Sequence, residues 1–191
     1  MELSAPPQRR VPGDLAMWCF ILAELAVFGV FFLAYAWARR QQPALFAAGQ
    51  GGLELGPPTL NTLLLLAGSA AMLAALSAFS AGRQRSGRRR LALTLLAGGG
   101  FLALKGYELV NKALQGITLS SNEFWMFYLS LTVFHFLHVV LGMVIVAAVW
   151  RLARDGRYQP GSMDEVETAA AYWHMVDLVW LLLFALVYVA R

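Results

Sequence analysis

The sequence predicts an all-α, polytopic membrane protein with five transmembrane helices, and three observations predict it. Of its 191 residues, 59% are apolar and only 14% charged, against about 45–50% and about 25% in ordinary soluble domains. A soluble globule of this size still exposes about 30% of its unfolded surface, so it has nowhere to hide that many apolar side chains and the bilayer must be the solvent. Finally, the apolar residues gather in five stretches close to or beyond the ~18 residues of a membrane helix, and no alternating strand pattern competes. A separate soluble catalytic domain is thereby excluded. So is a disulfide scaffold, because Cys19 is the single cysteine.

The elements follow in order. An N-terminal segment, residues 1–14, carries Arg9 and Arg10 and ends on Pro12-Gly13-Asp14, with Asp14 placed to cap a helix. The first span covers about 15–38. Its basic flank and Ala34-Tyr35-Ala36 resemble a cleavable signal, but the apolar stretch is too long and contains Glu24, so it is expected to remain a helix. A Pro/Gly/Gln-rich connector from Arg39 to Pro58 leads to the second span, about 59–81, capped by Thr59. Ala67, Gly68, Ala71 and Ala75 there, with Gly98-Gly99-Gly100 in the third span (about 91–112), are expected to let backbones approach closely. Between these spans lies a basic loop, Arg83–Arg90. The stretch Gln115–Asn122 precedes the fourth span, about 124–150, where Asn122 ahead of Glu123 is a capping signal. The mixed-charge loop Arg151–Thr168 leads to the fifth, about 169–190. Residues 15–191 thus read as a single five-helix transmembrane domain.

Charge sets the expected orientation, because cytoplasmic loops retain Lys and Arg. Arg9, Arg10, Arg83, Arg85, Arg88, Arg89, Arg90, Arg151, Arg154 and Arg157 fall on one side, and only Arg39, Arg40, Lys112 and Arg191 on the other. The N-terminus is expected to be cytoplasmic and the C-terminus on the far side. The net charge of +4 therefore reads as topology, not as a nucleic-acid surface.

Ionisable groups inside the spans cost several kcal/mol unless paired and are functional candidates. They are Glu24, Lys105, Glu108, His135, His138, His174 and Asp177. With a rise of about 1.5 Å per residue, Glu24, His174 and Asp177 lie roughly 8–14 Å from the inner boundary, and Lys105, Glu108, His135 and His138 roughly 18–26 Å. Two polar layers are expected. Lys105 and Glu108, His135 and His138, and His174 and Asp177 are each spaced i,i+3 on one helix face. Lys105 and Glu108 are expected to neutralise each other, with histidines capping the network; a proton relay is the sharper alternative. Glu24 must pair with another helix, for instance through His174, face a polar cavity, or hold a proton. A bis-histidine haem is a poor fit, since His174 and the fourth-span histidines differ by roughly 10 Å in depth. No Cys-x-x-Cys-His, Glu-x-x-His pairing or phosphate loop is present, so no metal ligand is assigned.

The last span, Ala169-Ala-Ala-Tyr172-Trp173-His174-Met-Val-Asp177-Leu-Val-Trp180, resembles the last-helix signature of subunit III of the haem-copper respiratory oxidases, Ala-x-Tyr-Trp-His-Phe-Val-Asp-x-Val-Trp. Phe134-His135-Phe136-Leu137-His138-Val139 with Gly142 is similar to the family's Phe-His-Gly-x-His-Val segment. Glu108 in Lys105-Gly-Tyr-Glu108 is placed like its preceding carboxylate, and Glu24 with Phe28 resembles its Ser-Glu-x-x-x-Phe stretch. The matches cover four of the five spans in the family's order. Phe136 stands where the family usually has Gly, and Ala23 where it has Ser. Five spans instead of seven resemble the family's short form, which lacks the two helices that wall a lipid cleft in long members. The segment Pro12-Gly13-Asp14-Leu-Ala-Met17-Trp18 looks most like a subgroup associated with bacterial nitric oxide reductases.

The resemblance implies a non-catalytic subunit of a haem-copper complex, a terminal oxidase or a nitric oxide reductase, in a bacterial inner membrane, where the Lys/Arg bias puts the C-terminus on the periplasmic side. It would bind no haem, copper or iron itself; those belong to a catalytic haem-containing partner subunit. Membrane phospholipid is its expected ligand, Trp173 and Trp180 its expected partner or lipid interface, and assembly and proton uptake its expected contributions. An independent proton or ion transporter, and a haem-binding electron-transfer protein, are the rival readings.

Overall fold

A computed structural model describes residues 15–158 and 162–190. Residues 1–14, including Arg9, Arg10 and the Asp14 cap, lie outside the described residues, as do 159–161 and Arg191. The described chain is helical: α1 (Leu15–Gln41), α2 (Pro43–Gly51), α3 (Gly56–Ser80), α4 (Gln84–Leu114), α5 (Glu123–Arg154) and α6 (Asp164–Phe184), which runs on into a π-helical turn, Ala185–Val189. Every helix except the nine-residue α2 is long and apolar enough to cross a membrane. The chain is therefore a multi-pass helical membrane protein with the five expected spans.

Several boundaries differ from expectation for a common reason: helices continue past the apolar stretch into polar sequence. The basic stretch Arg83–Arg90 is not a loop. The true turn is Ala81–Arg83, closed by Gly82 N–H to Phe79 O (2.8 Å) and Arg83 N–H to Ala78 O (2.8 Å), with Gly82 at φ +70°, the left-handed position that glycine fills without strain. From Gln84 the chain is already helical, since arginine is a good helix former. The fifth span likewise starts at Asp164, where Asp164, Glu165 and Glu167 suit the positive end of the helix dipole. Thr59 is not a cap; α3 begins at Gly56 with prolines in its first turn, where their missing N–H groups cost nothing. Asn122 is one: its Oδ1 accepts from Trp125 N–H at 2.9 Å.

The connector after the first span contains α2, which was not expected from so short a stretch. Pro43 opens it, and Phe46 is buried edge-on to Tyr35 (5.2 Å) and Phe124 (5.7 Å). Gln42 reaches Glu123 at the start of α5. Gln50 Nε2 donates to the carbonyls of Leu186 (3.3 Å), Val187 (3.0 Å) and Ala190 (3.1 Å). These contacts put the ends of α1 and α6 and the start of α5 together at one pole. Phe79 against Tyr158 (5.5 Å) joins the α3–α4 turn to the α5–α6 connection at the opposite pole. Successive spans therefore alternate in direction.

The core forms around α6. Trp173 lies in a trough made by three glycines on three helices. A methyl group built on Gly68 would lie 3.3 Å from its ring, one on Gly98 2.7 Å, and one on Gly142 3.3 Å. Gly98 and Gly68 thus do what small residues were expected to do, whereas Gly99 faces open space and Ala67 is exposed. Helix α1 is the least covered span, and it leaves Val30 and Leu33 outward, as suits a lipid-facing element. Lys112 sits over the Trp125 ring (5.1 Å) and Arg154 over Trp150 (5.6 Å). These two cation–ring pairs lie about 37 Å apart along α5, a spacing that matches the two membrane interfaces, where tryptophan concentrates.

Candidate functional site

The seven intramembrane ionisable residues resolve into distinct sites. On α5, the His138 ring stands beside Phe28 (5.3 Å) and Phe134 (4.6 Å). Its Nδ1 is 2.8 Å from the Phe134 carbonyl, and its Nε2 is 3.0 Å from Glu24 Oε2 on α1. The chemistry follows from the partners. A carbonyl oxygen only accepts, so Nδ1 carries hydrogen. The contact between Nε2 and Glu24 then holds one proton, which resides either on the carboxyl group or on the ring. In both forms the pair is neutral overall, which suits its surroundings. Glu24 thus meets His138, not His174: His174 turns toward Ser69 on α3, whereas His138 faces α1, and depth alone does not say which way a side chain faces.

On α4, Lys105 is fully buried, and its ammonium finds three oxygen partners: Tyr188 at 2.7 Å, Tyr128 at 3.1 Å and Glu108 Oε2 at 3.1 Å. Both phenols donate to Glu108 Oε1, Tyr188 from 3.3 Å and Tyr128 more closely. Lys105 and Glu108 pair as their spacing implied, but the expected histidine caps do not form. Tyrosines supply them. The sequence carried a usable signal: Tyr128 lies seven residues before His135 and Tyr188 eleven after Asp177, spacings that return to the same helix face. Tyr188 itself lies in the π turn at Ala185–Val189 and is buried. Glu108 also lines an open cavity of about 470 Å³ with Glu54, Leu104, Tyr107, Asn111 and Lys112.

His135 is fully buried among Phe28 (6.5 Å), Phe101 (5.7 Å) and Trp180 (5.3 Å, stacked). His174 Nδ1 contacts Ser69 Oγ at 2.6 Å, and Asp177, one turn on, is buried. The two expected layers are therefore not separate: Glu24 crosses to His138, while His174 and Asp177 face α3. Trp173 and Trp180, expected at a partner or lipid face, are both fully buried. One fills the glycine trough. The other donates to Thr62 Oγ1 at 2.9 Å and packs edge-on to Phe101 (4.9 Å). They occupy the face of α6 that turns inward, so they serve this bundle's own core. Among the described residues, no three His, Cys, Asp or Glu side chains converge to hold a metal.

The sequence that builds this bundle matches known proteins. Residues 13–190 match the family model for cytochrome c oxidase subunit III. The chain belongs to the cytochrome c oxidase subunit III family. Among relatives within it, the cytochrome c oxidase subunit 3 of Synechocystis sp. is 35% identical over 179 residues, covering 92% of this chain and 76% of the relative. That of Thermostichus vulcanus is 33% identical over 184 residues, covering 96% and 88%. A probable cytochrome c oxidase subunit 3 of Rickettsia felis is 32% identical, covering 92% and 68%. Within this subunit III chain, the motifs that carried the resemblance take physical roles: Trp173 and Gly142 in the same trough, Glu24 and His138 in one bond, Glu108 in the Lys105 cluster.

Proposed function

We propose that this chain is a non-catalytic subunit III of a haem-copper respiratory oxidase, working beside a catalytic haem-containing subunit in a bacterial inner membrane. The observation that carries this reading is the family match over residues 13–190, together with the burial of its polar groups in pairs and clusters that suit a scaffold. The Lys/Arg distribution supports a cytoplasmic N-terminus and a periplasmic C-terminus. Haem, copper and iron belong to the partner subunits. Phospholipid is the ligand of its outward apolar faces, chiefly along sparsely covered α1. The Glu24–His138 pair, with its single shared proton and partial exposure, suits a role in proton uptake by the partner. The association with nitric oxide reductases rests on Pro12–Trp18, of which only the last four residues are described, and the relatives cited carry the oxidase name; the oxidase reading is therefore preferred.

Copurification tests it. A tagged chain extracted in mild detergent is expected to bring a haem-containing partner with an oxidase spectrum and oxygen consumption. A nitric-oxide-reducing partner would redirect the assignment, and a colourless, partnerless preparation from respiring membranes would overturn it.

A further inference from the structure

The interior beside α6 holds more polar atoms than the protein satisfies. Among the described residues, both side-chain atoms of Asn61, both ring nitrogens of His135, Trp173 Nε1 and His174 Nε2 are buried without a hydrogen-bond partner. Asn61 and His135 are fully buried and Asp177 is 5% exposed. Polar groups are not left bare inside proteins; those without protein partners are satisfied by ordered water.

These atoms are not scattered. Ser69 joins His174 at one end, with Asp177 beside the same serine. One turn further, Trp180 bonds Thr62, the neighbour of Asn61, and stacks on His135. The Lys105 ammonium follows, 5.7 Å from the Trp180 ring, bonded to Tyr188 and Tyr128. Glu108 then opens into the 470 Å³ cavity. From His174 to Tyr188 the column runs about 20 Å along the helix, roughly two thirds of the hydrocarbon thickness.

We propose that this column is a binding site for a file of internal water molecules, entered from the Glu54–Glu108–Lys112 cavity and closed at the Ser69–His174 end. The file ligates Asn61, His135 and Asp177 and connects Asp177 to solvent on the Lys112 side. It is separated from the Glu24–His138 pair by the Phe28 ring, which stands against both His135 (6.5 Å) and His138 (5.3 Å), and does not depend on which partner the subunit serves.

Hydroxyl-radical footprinting of the full chain in detergent, and in its native membrane, tests this, because radicals formed from bound water oxidise the side chains next to it. Corrected for intrinsic reactivity, Trp180, His135 and Trp173 are expected to be labelled at rates approaching those of exposed Trp37 and Tyr107. Phe46, equally buried but among aromatic rings alone, is expected to stay unlabelled. Asn61→Leu, which fills the same space with an apolar group, is expected to abolish labelling at Trp180 and leave Trp37 unchanged. Labelling of Trp180 and His135 no greater than that of Phe46 in the wild type overturns the proposal, as does labelling that persists unchanged in a folded Asn61→Leu protein. If that variant does not fold, the wild-type footprint decides alone.

Discussion

Lys105 shows how a charge is kept inside a membrane bundle: three oxygens surround its ammonium, and the compensating carboxylate is one turn away. Removing the carboxylate leaves Lys105 buried and uncompensated. Glu108→Leu is therefore expected to lower stability by about 3–5 kcal/mol, and the double substitution Lys105→Met/Glu108→Leu to recover most of that loss, as read by thermal unfolding in detergent. Additive losses would mean that the two groups do not act as a pair. The shared proton of Glu24 and His138 leads to a different contrast. Glu24→Gln keeps a donor for Nε2 and is expected to assemble normally, whereas Glu24→Ala leaves the imidazole nitrogen unpartnered at a cost of about 1–3 kcal/mol. Equal behaviour of the two variants in an assembly assay would contradict the geometry. At this scale the sequence was partly legible. Lys105 and Glu108 pair by spacing alone, but whether Glu24 meets His138 or His174 depends on how α1 tilts and rotates, which no local pattern encodes.

At the scale of elements, helix contact is set by side-chain volume at a few positions. Gly98→Ala would drive a methyl into Met143 and Trp173 and is expected to cost about 1–3 kcal/mol. Gly99→Ala meets nothing within 4 Å and is expected to be neutral or mildly stabilising, since alanine favours helix; unfolding of both variants compares them directly. Another element-level contact is the clip at the start of α6, where Tyr158 donates to Glu165 (2.9 Å) and Arg157 holds the other carboxylate oxygen (2.7 Å). Burial, and then the bonded Glu165 carboxylate, push the Tyr158 phenol well above its usual range. Its contribution is therefore complete below the unfolded value of about 10 and is lost as pH rises beyond it. Tyr158→Phe is expected to flatten that part of the alkaline stability profile; an unchanged slope would contradict the clip. Long apolar spans are the most legible kind of element, and all five are where hydropathy put them. Helix α2 escaped notice because nine residues with a glycine-rich end carry too little periodicity, and it exists by virtue of Phe46 docking on α5.

For the whole molecule, the alternating spans and the inward tryptophans describe a body whose sequence motifs serve its interior more than its surface. Trp173 and Trp180 were expected to face a partner because large aromatics often do; three glycines on three other helices, which only the assembled bundle brings together, explain why they do not. The same assembly bears on biogenesis. Ribosomes deliver Lys105 and Glu108 to the membrane long before Tyr188, which belongs to the π-helical turn after α6 and is held by Gln50 through the neighbouring carbonyls. The nascent bundle therefore carries an incompletely solvated ammonium until the turn after α6 has been made, and closing that turn completes the site. Ending translation at Phe184 is expected to yield a chain that inserts but is cleared by membrane proteases, measurable by pulse-chase, whereas Tyr188→Phe should survive longer. Assembly would thus have a proofreading step built into the turn that follows α6: quality control reads whether that turn has closed, because a buried ammonium waits for it.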